Sequence, residues 1–260
     1  MLLALDIGNT NTVLGLFEDE VLVHDWRIRT EVNMTIDEYA ITVRSLFSVH
    51  GIELDRITDV IISCVVPPVL NSAERFCRKY FGIEPLLVGP GIKTGMPILY
   101  DNPREVGADR IVSAIAAFER RKDAVIVVDF GTATTFDFVS ERGEYMGGVI
   151  SPGIMISCEA LFQKASKLPR VEIFARPPSI LAKNTISSMN AGIVFGYAGL
   201  VEGIITRIKK EVDRPMYVIA TGGLAALIAS ECPLIDEVDE YLILNGLRII
   251  FERNKVRRVS

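Results

Sequence analysis

Two stretches of this chain carry the same order of residue types with chemistry in them. Leu5-Asp6-Ile7-Gly8-Asn9-Thr10-Asn11-Thr12 and Val128-Asp129-Phe130-Gly131-Thr132-Ala133-Thr134-Thr135 both read apolar, acid, apolar, glycine, then a cluster of small polar residues. The main-chain N–H groups, hydroxyls and amides of such a cluster suit phosphate oxygens, and Asp6 can hold a hydrated divalent ion beside them. Gly8 has no Cβ and lets a ligand come close to the backbone. One copy alone fits an ordinary hairpin with a polar turn just as well. Two copies, each flanked by strand-like apolar runs and each opening a half of about 125 residues, point to duplication. Two acid-tipped hairpins facing one another across a cleft would clamp a nucleotide's phosphates and metal ion. A third stretch, Tyr217 to Ala225, enters a Gly222-Gly223 turn from a strand and leaves into a helix, so its backbone can approach a base or ribose. By itself that is a weak signal, because Gly-Gly commonly joins strand to helix.

The elements that must hold these residues are legible from periodicity. The opening hairpin is followed by a strand over Val21–Ile28. An amphipathic helix to about Val49 then starts behind Thr35-Ile36-Asp37-Glu38, a capping-box pattern. Asp59–Val66 is a buried-strand run stopped by Pro67-Pro68, with a helix over Val69–Tyr80 and a short strand at Pro85–Val88. Gly89–Pro103 is loop-like, and a helix follows from near Gly107 to Arg121. The second half repeats the plan: strands at Ala124–Phe130, Thr134–Val139 and Glu144–Ile150, then a helix at Met155–Lys164. Lys167–Ser179 reads as irregular, Ser187–Glu211 as a long helix, Met216–Ala220 as a strand, and Leu224–Ser230 and Tyr241–Arg253 as helices. Strands and helices alternate in this way in α/β proteins.

Composition narrows the class. The 260 residues are 49% hydrophobic with 28 basic and 33 acidic side chains, a net charge of −5 that argues against nucleic acid as the main partner. The basic tail Lys255-Val256-Arg257-Arg258 reads as a solvated end. Cys64, Cys77, Cys158 and Cys232 form no C-x-x-C pair and read as free thiols, Cys64 and Cys158 within apolar segments. Only His24 and His50 exist, away from any motif, which argues against a histidine triad or a zinc hydrolase. No apolar run reaches the roughly 18 residues of a membrane span, and Asp6 interrupts the apolar start, so no membrane partner and a cytoplasmic location are expected.

At its three glycine-bearing stretches the chain resembles the acetate/sugar kinase–Hsp70–actin superfamily, whose phosphate-1, phosphate-2 and adenosine motifs occur in this order. The resemblance implies an α/β fold of two ribonuclease-H-like (actin-like ATPase) domains related by duplication, residues 1–118 and 119–260, with ATP in the cleft between them. No G-x-x-x-x-G-K-[ST] sequence occurs, which sets the P-loop class aside. Within that superfamily Tyr100-Asp101-Asn102-Pro103-Arg104-Glu105-Val106-Gly107-Ala108-Asp109-Arg110 is similar to the matching block of type III pantothenate kinases. Gly147–Gly153, Leu168-Pro169-Arg170 and Asn184-Thr185 carry the same likeness, which runs from Leu3 to about Ala225. Ala191-Gly192 stands where Ser-Gly is more usual, beside a matching Gly196-Tyr197.

The resemblance implies ATP-dependent phosphorylation of pantothenate, with Mg²⁺ accompanying ATP and a monovalent cation, K⁺ or NH₄⁺, held by Asp129. It makes Asp109 the base toward pantothenate's primary hydroxyl. Read from its position alone, Asp109 is a dipole-stabilising acid in the first turn of a helix, where its pKa should fall. ATP would be held by Asp6, Ile7, Gly8, Asn9, Thr10, Asn11, Thr12, Val13 and Thr132. Pantothenate would be held by Tyr100, Gly107, Ala108, Asp109, Arg110 and Thr185. Arg110 can pair with the substrate carboxylate or serve as a surface fold contact, Tyr100 can line a pocket or pack in the core, and Asp129 can equally be the divalent-ion acid. Family active sites lie against a homodimer interface, so Thr185 is expected to act across it and the Ala191–Ile205 helix to gain a partner; an ordinary core helix is the alternative. A regulator on the same scaffold and an actin-like filament protein are the competing functions. The acids Asp6, Asp109 and Asp129 stand against the first, and the short length and the Gly-Ala-Asp-Arg block against the second.

Overall fold

The computed structural model describes residues 1–171, 173 and 175–255. The basic residues of the tail beyond Lys255, and Glu172 and Phe174 of the expected irregular stretch, lie outside the described residues. The chain divides into two compact units. The first comprises Met1–Ala116 with the helix that begins at Leu242, and the second Ala117–Tyr241.

In the first unit β1 (Leu2–Ile7), β2 (Asn11–Glu18), β3 (Val21–Arg29), β4 (Asp59–Cys64) and β5 (Leu86–Leu87) form one sheet in the order β3-β2-β1-β4-β5. β1 runs antiparallel to β2 and parallel to β4, pairing Asp6 with Val13 on one side and with Ser63 on the other. Alternation sends Leu3, Leu5 and Ile7 into a core with Leu14, Val43 and Phe76, and turns Asp6 to the opposite face. The helices over that core are α1 (Ile36–Val49) and α2 (Pro67–Phe76). Thr35 and Glu38 make the expected capping box. The proline pair does not precede α2 but opens it, because the first helical turn needs no N–H donors and suits the fixed proline φ.

The second unit repeats this topology. β6 (Val125–Phe130), β7 (Ala133–Val139), β8 (Tyr145–Pro152), β9 (Tyr217–Gly222) and β10 (Glu237–Val238) lie in the order β10-β9-β6-β7-β8. Reversed, that order matches the first sheet strand for strand, and Asp129 pairs with Thr135 and Thr221 as Asp6 does with Val13 and Ser63. The α/β duplication is therefore present in strand order as well as in the motif. α4 (Ile154–Lys164), α5 (Thr185–Val212) and α6 (Ala225–Ala229) complete the unit, with Ile193, Val194, Val201 and Ile205 of α5 buried in its core. Among the described residues α5 is long and apolar enough to cross a membrane by length and composition. Counting uninterrupted apolar residues passes over it, because Ser187, Ser188 and Asn190 break the run.

The boundary between units falls inside α3 (Ala108–Arg121). The closing helix α7 (Leu242–Asn254) packs on β1, β4 and β2, so it groups with the first unit rather than with residues 119–241, as a simple division at 118 has it. Gly15 makes room for the Leu244 side chain, and Gly246 for the Val112 carbonyl. The four cysteines are free, Cys64 partly exposed and the other three buried. His24 and His50 pack with Trp26 and Phe47 in an aromatic cluster joining β3 to α1.

Candidate active site

The β1–β2 turn is held from both sides. Gly8 N–H donates to the Asn11 carbonyl at 3.0 Å. Gly8 does not adopt a positive φ; a Cβ there would press to 3.1 Å on the Asn11 oxygen, a tight fit at the turn. The Thr30 hydroxyl donates to the Gly8 carbonyl at 2.7 Å and pairs with the Thr12 hydroxyl at 3.0 Å, while Thr30 N–H donates to the Thr10 carbonyl. Thr12 is buried, and its hydroxyl braces the turn; Asn9, Thr10 and Asn11 are exposed at the tip. Ile7 is a core side chain, so only its backbone borders the turn, and Val13 is half-buried beside Asp6. Thr30 lies outside the repeated motif, and pattern reading passes over it.

Asp6 is half-buried, and its register partner Ser63 is wholly buried with a hydroxyl that has no hydrogen-bond partner. A carboxylate beside an unsatisfied hydroxyl is a hard oxygen donor set of the kind Mg²⁺ takes. Among the described residues no three His, Cys, Asp or Glu side chains gather into a metal cage.

Gly107, Ala108, Asp109 and Arg110 are brought together at the start of α3. Asn102 caps the short turn before them, accepting from Arg104 N–H at 3.3 Å and donating to Glu105 at 2.8 Å. The Asp109 carboxylate folds back over Gly107, where any Cβ would overlap it, and accepts from Arg110 N–H at 2.8 Å. Burial pushes the Asp109 carboxyl above the ordinary aspartate range, against the Arg110 N–H bond and the Arg110 charge, which pull it down. The expected lowering at a helix N-terminus is thus reversed, because desolvation outweighs it. Arg110 is buried, not the surface contact its position alone allows. Tyr100 is half-buried in the loop before this turn.

In the second unit Asp129, next to last in β6, lies against Gly222, which has φ +96°. A Cβ there would stand 2.7 Å from both Asp129 Oδ1 and the Phe130 carbonyl. Gly131 N–H closes the turn onto the Ala133 carbonyl at 3.1 Å, leaving Thr132 exposed. Gly222→Ala combines a strained φ with displacement of Asp129, and we expect it to destabilise the protein by about 2 kcal/mol, read by chemical denaturation. Thr185 is exposed at the first position of α5, behind the Asn184 cap, whose Oδ1 accepts from Ser187 N–H at 2.8 Å.

Comparison with known proteins agrees with this architecture. The ROK family glucokinase of Streptomyces griseus, solved with glucose and AMPPNP, superposes with a TM-score of 0.56 at 11% identity, covering 97% of this chain and 99% of that one. At that identity the likeness speaks for the fold alone. The sequence relatives are much nearer. A type III pantothenate kinase of Syntrophobacter fumaroxidans is 76% identical over 255 residues, 98% of this chain and 99% of the relative. One of Geotalea uraniireducens is 62% identical over the same shares. Residues 2–207, which include both acid-glycine turns and the Gly107–Arg110 corner, match the family model for these enzymes, and the chain belongs to the type III pantothenate kinase family.

Proposed function

We propose that the chain transfers the γ-phosphoryl group of ATP to the primary hydroxyl of pantothenate, giving 4′-phosphopantothenate, the first step of coenzyme A biosynthesis. The observation that carries this reading is the Asp109 corner: a partly buried carboxylate with a raised pKa, fixed over Gly107 beside a buried Arg110. Such a carboxylate orients a hydroxyl and accepts its proton as phosphoryl transfer proceeds. Arg110 supplies the charge that pairs with the substrate carboxylate, and Tyr100, Gly107 and Ala108 line the same acceptor site. The exposed tip Asn9-Thr10-Asn11, braced by Gly8 and Thr12, is assigned to ATP phosphates with Asp6 beside the ion, and Thr132, exposed in its own turn, is likewise assigned to ATP. When bound, Mg²⁺ neutralises charge on the phosphate oxygens. Asp129, set against Gly222, is assigned to the monovalent cation, K⁺ or NH₄⁺. Coupled ATP-consumption assays with pantothenate and K⁺ test the reading, and absence of pantothenate-dependent turnover would sink it.

The same reading assigns the chain to a homodimer. Ile150 on edge strand β8 is 61% exposed, Met155 on α4 51%, Leu181 84% and Ile186 on α5 53%, an amount of bare apolar surface that favours pairing with a second copy. Thr185 lies next to Ile186 and is assigned to contact substrate from across the pair. Ile150→Asp with Leu181→Asp is expected to convert dimer to monomer in sedimentation experiments and to lower turnover in step. A wild-type monomer at micromolar concentration would reject the assignment.

A further inference from the structure

Gly153 lies against the Asp129–Thr132 turn so closely that no side chain could stand there. A Cβ on Gly153 would overlap the Thr132 carbonyl oxygen and come within 2.7 Å of the Gly131 carbonyl oxygen. The backbone of one segment therefore sets the position of the other, with no flexible side chain between them. Gly153 is the N-cap of α4 and follows directly on β8, whose last residue, Pro152, pairs with Ala133.

Besides the pairing with β7, Ser157 N–H and the Ser151 hydroxyl at 3.3 Å from the Pro152 carbonyl, one side chain from α5 reaches both the Pro152 and Gly153 carbonyls. The Tyr197 hydroxyl lies 3.0 Å from the Pro152 carbonyl, 3.1 Å from the Gly153 carbonyl and 2.5 Å from Ser157 Oγ. The donors and acceptors balance. Ser157 Oγ–H donates to Tyr197 Oη, and the single Tyr197 proton is shared between the two carbonyls. The Gly153 carbonyl also accepts from Ser157 N–H at 3.1 Å, which closes the first turn of α4. The ring itself is buried, 8% exposed, within the α5 core face.

We infer that Tyr197 is a positioning residue for the Gly131–Thr132 turn, acting through the Pro152–Gly153 carbonyls. Its hydroxyl contacts are Ser157 and the Pro152 and Gly153 carbonyls. This rests on the reading above that the turn holds ATP phosphates. Without its hydroxyl the two carbonyls lose their shared donor, Gly153 shifts, and the Gly131 and Thr132 backbone moves with it. Small displacements of this kind are felt in nucleotide affinity, because phosphate contacts depend on fixed N–H directions.

Tyr197→Phe tests it. The expected result is a KM for ATP raised about tenfold, with the KM for pantothenate within about twofold of wild type; the melting temperature falls as in the control below, so the ATP constant separates the two variants. ATP affinity measured by calorimetry without acceptor should weaken by the same factor. Tyr145→Phe is the control. It removes a buried hydroxyl that donates to Asp137 at 2.6 Å in the same unit, and it should lower the melting temperature while leaving the ATP constant alone. Ser157→Ala, a milder change at the same cluster, should move ATP affinity in the same direction and decides the matter if Tyr197→Phe fails to fold. Unchanged ATP affinity in a folded variant, or equal changes in both KM values, overturns the inference. If wild type binds ATP but does not turn over pantothenate, the substrate reading fails, while the calorimetric comparison still judges the clamp.

Discussion

Asp109→Asn should reduce pantothenate-dependent ATP turnover by roughly 10²–10⁴-fold, the usual contribution of a positioned general base. The amide keeps the shape of the carboxylate and can still accept from Arg110 N–H through Oδ1, so the corner of α3 stays formed. It cannot take a proton. The electrostatics of the site add two further expectations. The raised pKa means that the base is lost to protonation at a higher pH than an ordinary aspartate, so the acid limb of the kcat/KM profile lies above the usual carboxylate range. The folded state also holds this proton more tightly than the unfolded chain does. Between the unfolded and folded pKa values the native state therefore binds more protons, and its stability falls as pH rises through that window. Above it the buried charge costs the fold a constant amount, which the Arg110 attraction offsets only in part. Asp109→Asn removes that cost, and the inactive variant is expected to melt at least as high as wild type at pH 7. A scanning calorimetry trace in which it melts well below wild type would show that the carboxylate is structural.

Gly246→Ala is expected to destabilise the protein, although it places alanine inside a helix. On propensity alone the change would help, since alanine favours a helix interior by about 1 kcal/mol over glycine. Packing decides otherwise. The added Cβ would overlap the Val112 carbonyl oxygen and stand 2.7 Å from Val112 Cγ1, so α7 must move away from α3. Backbone meets backbone there, and no side chain can rotate clear. Overpacking commonly costs about 1–3 kcal/mol and more where backbone must shift, which outweighs the gain from propensity. A net loss of about 2 kcal/mol would lower the melting temperature by roughly 4–8 °C for a chain of this size. A melting temperature equal to or above wild type would mean that α7 has room to slide. The residue also probes a point of architecture, because the last helix is bound to the first unit through this contact and through Leu244 over Gly15.

Much of this protein is determined by its sequence alone. The α/β class, the duplication, and most element positions follow from local periodicity and from turn chemistry within a few residues. The Thr35–Glu38 capping box is one such local device, and it starts α1 where the pattern indicates. The acid-glycine turns and the Gly107–Arg110 corner are likewise contiguous, so their residue types can be read directly. Tertiary structure decided the remainder, because the forces involved sum over residues far apart in the chain. An apolar helical stripe says that α7 is buried, but not that it is buried against β1, more than 200 residues earlier. The Thr12–Thr30 brace joins residues 18 apart, and the Tyr197–Pro152 bond residues 45 apart; neither leaves a local signature. Asp109 makes the same point in electrostatic form. Its place in a first helical turn predicts a lowered pKa, whereas burial by packed neighbours raises it, and desolvation depends on everything that surrounds the carboxylate rather than on its position along the helix.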